Sequence, residues 1–444
     1  MVMGEGDTDN WVIQVNQSLT NFPDQTSESK LWDKRSIYKV SPCIADLNNK
    51  AYRPQAVSFG PYHHGEDRLS PMEEHKPRAL LHFLRRSRKP LEEYLASLRE
   101  IVGSLMGCYD PLDPHWKGNE ESFLRLMILD GCFMLEILRT EAQSLVDYAA
   151  NDPIFSNHGK LYIMPFLRRD MLMIENQLPI SLLERLVAVE TDRKKGKDYV
   201  VRLILKFCSS SGLTSIANVD GLHITDGLHI LDIYRQSLLK QANPKKPPKH
   251  HMVRHLHRDS GGGEEIIRSA SELDEAGIQF KKVKNGTLRD ISFKNGVLKL
   301  PVIVVDDTTE TIFLNLIAFE RLHVGAGNEV TSYIFFMDNI IDSNRDVALL
   351  HSRGIIQSAI GSDKAVAKLF NSLSKDITLD PDSELDAVQN MVSDYCKKPW
   401  NVWRANLIHT YFTNPWAILS LIAAVFLFAL TIAQTVYTII PFYK

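Results

Sequence analysis

Apolar residues crowd Phe123–Leu138, FLRLMILDGCFMLEIL, on every face of a helix rather than along one stripe. The helix this predicts, over 119–149, should lie buried in the middle of its domain. Upstream, KPRALLHFL (Lys76–Leu84) starts a helix with Pro77 in its first turn, where the missing N–H costs nothing. Pro90 separates it from a second helix over 91–105. Downstream, Met164-Pro165 opens FLRRDMLMIENQLPISLLERL, which Pro179 should kink or split. Weaker helical patterns follow at 200–207 and 228–241.

The period changes at Ile278–Lys284 and Leu288–Phe293, which alternate like strands. Asn295-Gly296 is a type I′ hairpin signal leading into Val297–Val304. A shorter extended stretch, Val57–Phe59, is read as a strand broken by Gly60-Pro61. From Thr309 onward the helical period returns four times, ending in KAVAKLFNSL. The pattern predicts a mostly α (α+β) protein: a large helical domain with one small antiparallel β-hairpin sheet. No internal repeat is present.

From Ala405 to Tyr443 there is no Asp, Glu, Lys or Arg. As a helix, Trp416–Ile440 would reach about 37 Å at roughly 1.5 Å per residue. A bilayer core of about 30 Å needs less. Trp400, Trp403 and Trp416 precede this stretch, and Tyr437, Phe442 and Tyr443 close it, as interfacial aromatics do. The expectation is a C-terminal transmembrane helix at 413–444, meeting the membrane through residues 416–440. Lys397, Lys398 and Arg404 flank it on one side and Lys444 alone on the other, which puts the N-terminal domain in the cytosol. The N-terminus has neither a basic nor an apolar leader region, so a single-pass tail anchor in the plasma membrane is expected. The sequons at Asn16 and Asn285 would matter only in the reverse topology.

Composition adds exclusions. The 44% hydrophobic and 24% charged residues are those of an ordinary globular protein, and a net charge of −3 argues against a whole-surface nucleic-acid binder. The five cysteines, Cys43, Cys108, Cys132, Cys208 and Cys396, are far apart and form no C-x-x-C pair, so they make neither a disulfide framework nor a zinc module. Residues 1–36 are polar and read as a flexible segment. The globular domain is placed at 37–412, interrupted by a basic, Pro- and Gly-rich linker at 243–263.

Several blocks then occur in order: IYKV (Ile37–Val40), AYRPQAVSFGPYHHG (Ala51–Gly65), LDGCFMLEILR (Leu129–Arg139), ENQLP (Glu175–Pro179), LIAFE (Leu316–Glu320) and MDNIID (Met337–Asp342). Together with GII at Gly354–Ile356 and the terminal YF..PW, they resemble the plant domain-of-unknown-function family 247 over nearly the whole chain from Ile37. Val40-Ser-Pro stands where the family has a Lys-Val-Pro run, and Phe59 where it has Ile. The resemblance implies a single-pass membrane protein without established enzymatic activity, some of whose relatives act in grass self-incompatibility.

Candidate chemistry is sparse. His63-His64 sits in a Gly-Pro…Gly frame, but adjacent side chains diverge and cannot jointly ligate one metal as an i,i+4 pair would. The simpler reading is a turn in which one imidazole is hydrogen-bonded and the other exposed. Asp130, Glu136, Asp170 and Glu175 lie inside apolar runs, where a charge is costly unless paired. Arg125, Arg139, Arg168 and Arg169 are the obvious partners, giving a buried ion-pair network. The alternative is a hydrolase that uses these carboxylates or the His63-His64 turn as acid and base. In the linker, His251 and His255 would share a helix face, although a solvated connector explains the composition. Gly325-Ala-Gly327 lacks the third glycine and preceding strand of a dinucleotide site. The sequence therefore assigns no catalytic, cofactor-binding or metal residue and needs no cofactor. It points to recognition or signalling through protein partners, with no nucleic acid.

Overall fold

A computed structural model of the chain describes residues 5–22, 24–46, 48–142, 147–209, 222, 224–240, 267–284, 286–375, 377, 384–407 and 415–439. The linker 243–263, with His251 and His255, lies outside them, as does Asn285. The chain is mostly helical with short strands and divides into two units.

The first unit comprises residues 1–207, 224–233 and 322–324. It begins with helices Glu5–Thr20 and Gln25–Trp32, the second capped by Asp24, whose carboxylate accepts from the Ser27 amide. Strand β1 (Ile37–Tyr38) then pairs in parallel with β2 (Tyr109–Asp110). The expected buried helix is present as Glu120–Ala142, with Phe123, Met127, Phe133 and Ile137 out of contact with solvent. It packs against helices His75–Ser87, Leu91–Arg99 and Ile180–Glu190. Gly131 permits the last of these contacts: a Cβ there would stand 2.6 Å from Leu186 Cδ1.

The segment read as one helix broken by Pro179 is interrupted sooner. Helix Met164–Asp170 ends, a 3₁₀ turn occupies Ile174–Asn176, and helix Ile180–Glu190 follows. Gln177 holds the interval open by donating from Nε2 to the carbonyls of Met171 and Met173, at 2.7 Å each. A side-chain amide has replaced the helical partners of those carbonyls.

The second unit comprises residues 208–223, 234–321 and 325–444. Helix Ala270–Glu275, capped by Ser269, leads to β3 (Gln279–Val283). Strands β4 (Ser292–Lys294) and β5 (Val297–Pro301) form the hairpin that Asn295-Gly296 signalled, with φ of 51° and 76° at the two turn residues. The sheet is mixed rather than antiparallel, because β5 also pairs in parallel with β3. A further parallel pair joins β6 (Ile303–Val305) to β7 (Ile356–Ser358). Helices Thr309–Leu322, Glu329–Ile340, Asn344–Ser352 and Asp363–Leu373 realise the four expected periodic segments. Arg235 crosses between two of them, its guanidinium pairing with Glu320 at 2.7 Å and Glu329 at 2.5 Å.

The C-terminal expectation is overturned. Helix Pro415–Ile439 exists, but among the described residues no helix is long and apolar enough to cross a membrane. Thr431, Gln434, Thr435 and Thr438 interrupt its apolar run, and the three threonine hydroxyls donate to carbonyls four residues back. The transmembrane helix at 413–444, the membrane contact through 416–440 and the single-pass location at the plasma membrane with a cytosolic domain are therefore not supported.

Candidate functional site

Residues 55–60 cross between helices without forming a strand, with bends at 55, 56 and 60. The partners of the amides at 55–57, 59 and 60 are side chains supplied from seventy or more residues away. Asp170 Oδ2 accepts the amides of Gln55, Ala56 and Val57 at 2.8, 2.6 and 3.2 Å. Asn176 behaves as a strand neighbour would, accepting from the Phe59 amide at 2.7 Å and donating to the Val57 carbonyl at 3.1 Å. Asp130 Oδ2 accepts from the Gly60 amide at 2.8 Å. The strand expected at Val57–Phe59 is thus not formed, and the segment is held instead by side chains. Such accounting is obligatory for buried amides.

Asp130 is wholly buried on the central helix, and its other oxygen lies 2.7 Å from Lys76 Nζ. Burial pushes this carboxyl above its ordinary value, and the Lys76 ammonium pulls it back. Lys76 also bonds the Ser58 carbonyl at 2.7 Å and Glu73 at 2.6 Å. Sequence reasoning missed this lysine. The signal was there: Lys76, Ala79 and Phe83 occupy one face of their helix, and all three are buried.

The two histidines part company. His63 is 5% exposed, with Nδ1 2.6 Å from Glu66 Oε1 and Nε2 3.0 Å from Glu175 Oε2. Glu175 Oε1 also accepts the Val40 amide at 2.6 Å, tying the turn to the end of β1. Burial raises Glu66, but the hydrogen bonds from His63 and Arg68 outweigh it and hold the carboxyl below its ordinary value. His64 is exposed and meets the edge of Trp116, with ring centroids 5.6 Å apart.

The expected ion-pair network is realised in part. Glu136 is buried among Arg86, Arg139 and the Tyr148 hydroxyl, and Arg139 continues to Glu190. Arg169 pairs with Asp170 at 2.9 Å. Arg168 instead serves Glu141, and Arg125 pairs with none of the four carboxylates. Among the described residues, no group of three or more His, Cys, Asp or Glu is placed to hold a metal ion.

Arg125 faces elsewhere, into a cavity of about 910 Å³ that sequence reasoning did not find. Lys39, just beyond β1, lines it together with Tyr62 and His64 of the turn. The segment after β2 contributes Leu112, Asp113, His115 and Trp116, and the central helix contributes Arg125 and Leu129. The Trp116 ring is bracketed by His64 and by His115, whose centroid is 5.4 Å away. Asp113 accepts the His115 amide at 2.8 Å, capping the short helix Pro114–Lys117.

Fold and site together define a predominantly helical protein whose internal carboxylates anchor backbone beside a basic, aromatic-lined cavity. The chain belongs to the plant family of unknown function DUF247, whose profile matches residues 37–430 and therefore spans both units. It is similar to a UPF0481 protein of Arabidopsis thaliana, with 29% identity over 91% of this chain and 86% of the relative. A second Arabidopsis thaliana UPF0481 protein is 23% identical over 96% of this chain and 94% of its own length. No solved structure matches the chain.

Proposed function

We propose that this chain is a non-catalytic recognition protein that acts by binding protein partners, with reproductive self/non-self recognition as the specific setting. The supporting observation is the engagement of the catalytic candidates. Asp170 accepts three backbone amides, Glu175 one amide and His63, and Asp130 the Gly60 amide and Lys76. A general acid or base must exchange its proton with substrate in each cycle. Groups that hold backbone in this way would loosen the fold each time they did so.

The test has two arms. Proximity labelling with the full chain in its native tissue should enrich a defined set of proteins. The purified chain should show no turnover of chromogenic esters, glycosides or phosphates. Turnover abolished by Glu175→Gln in a folded variant would establish the hydrolase alternative instead.

A further inference from the structure

We infer that the cavity floored by Trp116 binds a small anionic ligand with a flat apolar body. This goes beyond the recognition reading, and either can fail without the other.

Charge comes first. Lys39 and Arg125 line the cavity, both are exposed, and among the described residues neither has an ion-pair partner. Three other cations of the first unit are spent: Arg35 lies 2.5 Å from Asp110, Arg68 2.6 Å from Glu66, and Lys76 2.7 Å from Asp130. Asp113 is the one acidic residue among the lining side chains, and its carboxylate already caps the His115 amide. The lining therefore carries an excess of positive charge before either histidine is protonated. A guanidinium fork and an ammonium in the lining of one cavity suit a carboxylate or a phosphoryl group.

Shape and lining supply the rest of the ligand. A volume of about 910 Å³ lies within the range of roughly 300–1,000 Å³ typical of small-molecule pockets. Trp116, Tyr62, His64 and His115 offer ring faces and edges, while Leu112 and Leu129 add aliphatic surface. Aromatic rings pack edge-on or offset against planar partners. The Gly60-Pro61 turn, held by Asp130, fixes Tyr62 and His64 against the segment that carries Trp116, so the wall is preformed.

The experiment is calorimetric titration of the full chain with 2-naphthoate, 2-naphthyl phosphate and the neutral 2-naphthylmethanol. At least one anion should bind saturably at one site, about tenfold or more tightly than the alcohol, as expected for a charge-assisted hydrogen bond. Arg125→Ala and Lys39→Ala should each weaken that binding about fivefold or more, with unchanged melting temperature and unchanged alcohol binding. Preference for the phosphate or for the carboxylate would identify the head group. Absence of saturable anion binding, parity between anion and alcohol, or anion binding indifferent to both substitutions would overturn the inference.

Discussion

Lys76 Nζ lies 2.7 Å from Asp130 Oδ1, and both side chains are withdrawn from solvent. The pair joins helix His75–Ser87 to the central helix and, through the Ser58 carbonyl and the Gly60 amide, to the His63 turn. Removing one partner leaves the other charge buried alone. Lys76→Met should therefore cost about 3–5 kcal/mol. Thermal melting checks this: a melting temperature equal to the parent's would mean that the buried carboxylate needs no cation.

Asp170 presents a different case, since most of its bonds are to backbone. Asp170→Ala leaves the amides of Gln55, Ala56 and Val57 without their acceptor, at a cost of roughly 3 kcal/mol. Hydrogen exchange should show residues 55–57 losing protection before the central helix does. Uniform loss of protection across the unit would argue against a local anchoring role.

How much of this was legible in sequence depends on whether the partner was local. The central helix was legible because its apolar pattern is continuous, and the hairpin because Asn295-Gly296 needs no distant residue. The strand expected at Val57–Phe59 is not formed, and the side chains that hold the segment were not legible. Asp170 and Asn176 reach it across more than one hundred residues of sequence. Arg125 was assigned to a buried carboxylate because sign and proximity along the chain favoured it, yet its helical face points into the cavity. Lys76 took that place from a helix fifty residues earlier. At the C-terminus, the absence of charge from Ala405 to Tyr443 stands beside Thr431, Gln434, Thr435 and Thr438, and among the described residues no helix is long and apolar enough to cross a membrane.

Gly60 sits at φ +72°, and a Cβ there would approach Tyr109 Oη to 2.9 Å and the Gln177 carbonyl oxygen to 3.1 Å. Gly60→Ala combines left-handed strain with this contact and should cost about 2 kcal/mol or more. Equilibrium denaturation measures it, and a neutral result would show that the turn can relax. Gly65, also at positive φ, has nothing within 4 Å of its Cβ position, so Gly65→Ala should cost less.

His229 supplies the pH dependence. It is fully buried, with Nε2 3.0 Å from the Ser36 carbonyl oxygen and Nδ1 accepting the Asp232 amide. Both contacts suit the neutral ring, and burial lowers its pKa from 6.5 to about 4. Between those values the unfolded chain binds a proton that the folded chain does not. The contribution is therefore fully present above pH 6.5 and is lost as pH falls toward 4, in total on the order of 3 kcal/mol. Stability measured from pH 7 to 4 should fall less steeply in His229→Asn than in the parent. Parallel curves would contradict the assignment.

The central claim is that the His63-His64 turn is a structural joint rather than a reactive centre. The most direct test is urea unfolding of His63→Ala beside His64→Ala. His63 is buried between Glu66 and Glu175, so its loss leaves the buried Glu175 Oε2 without that partner, at a cost of about 1–3 kcal/mol. His64 is exposed, and its loss should change stability by less than about 0.5 kcal/mol. The predicted result is a lower midpoint for His63→Ala and a parental one for His64→Ala. A parental midpoint for His63→Ala would contradict the account.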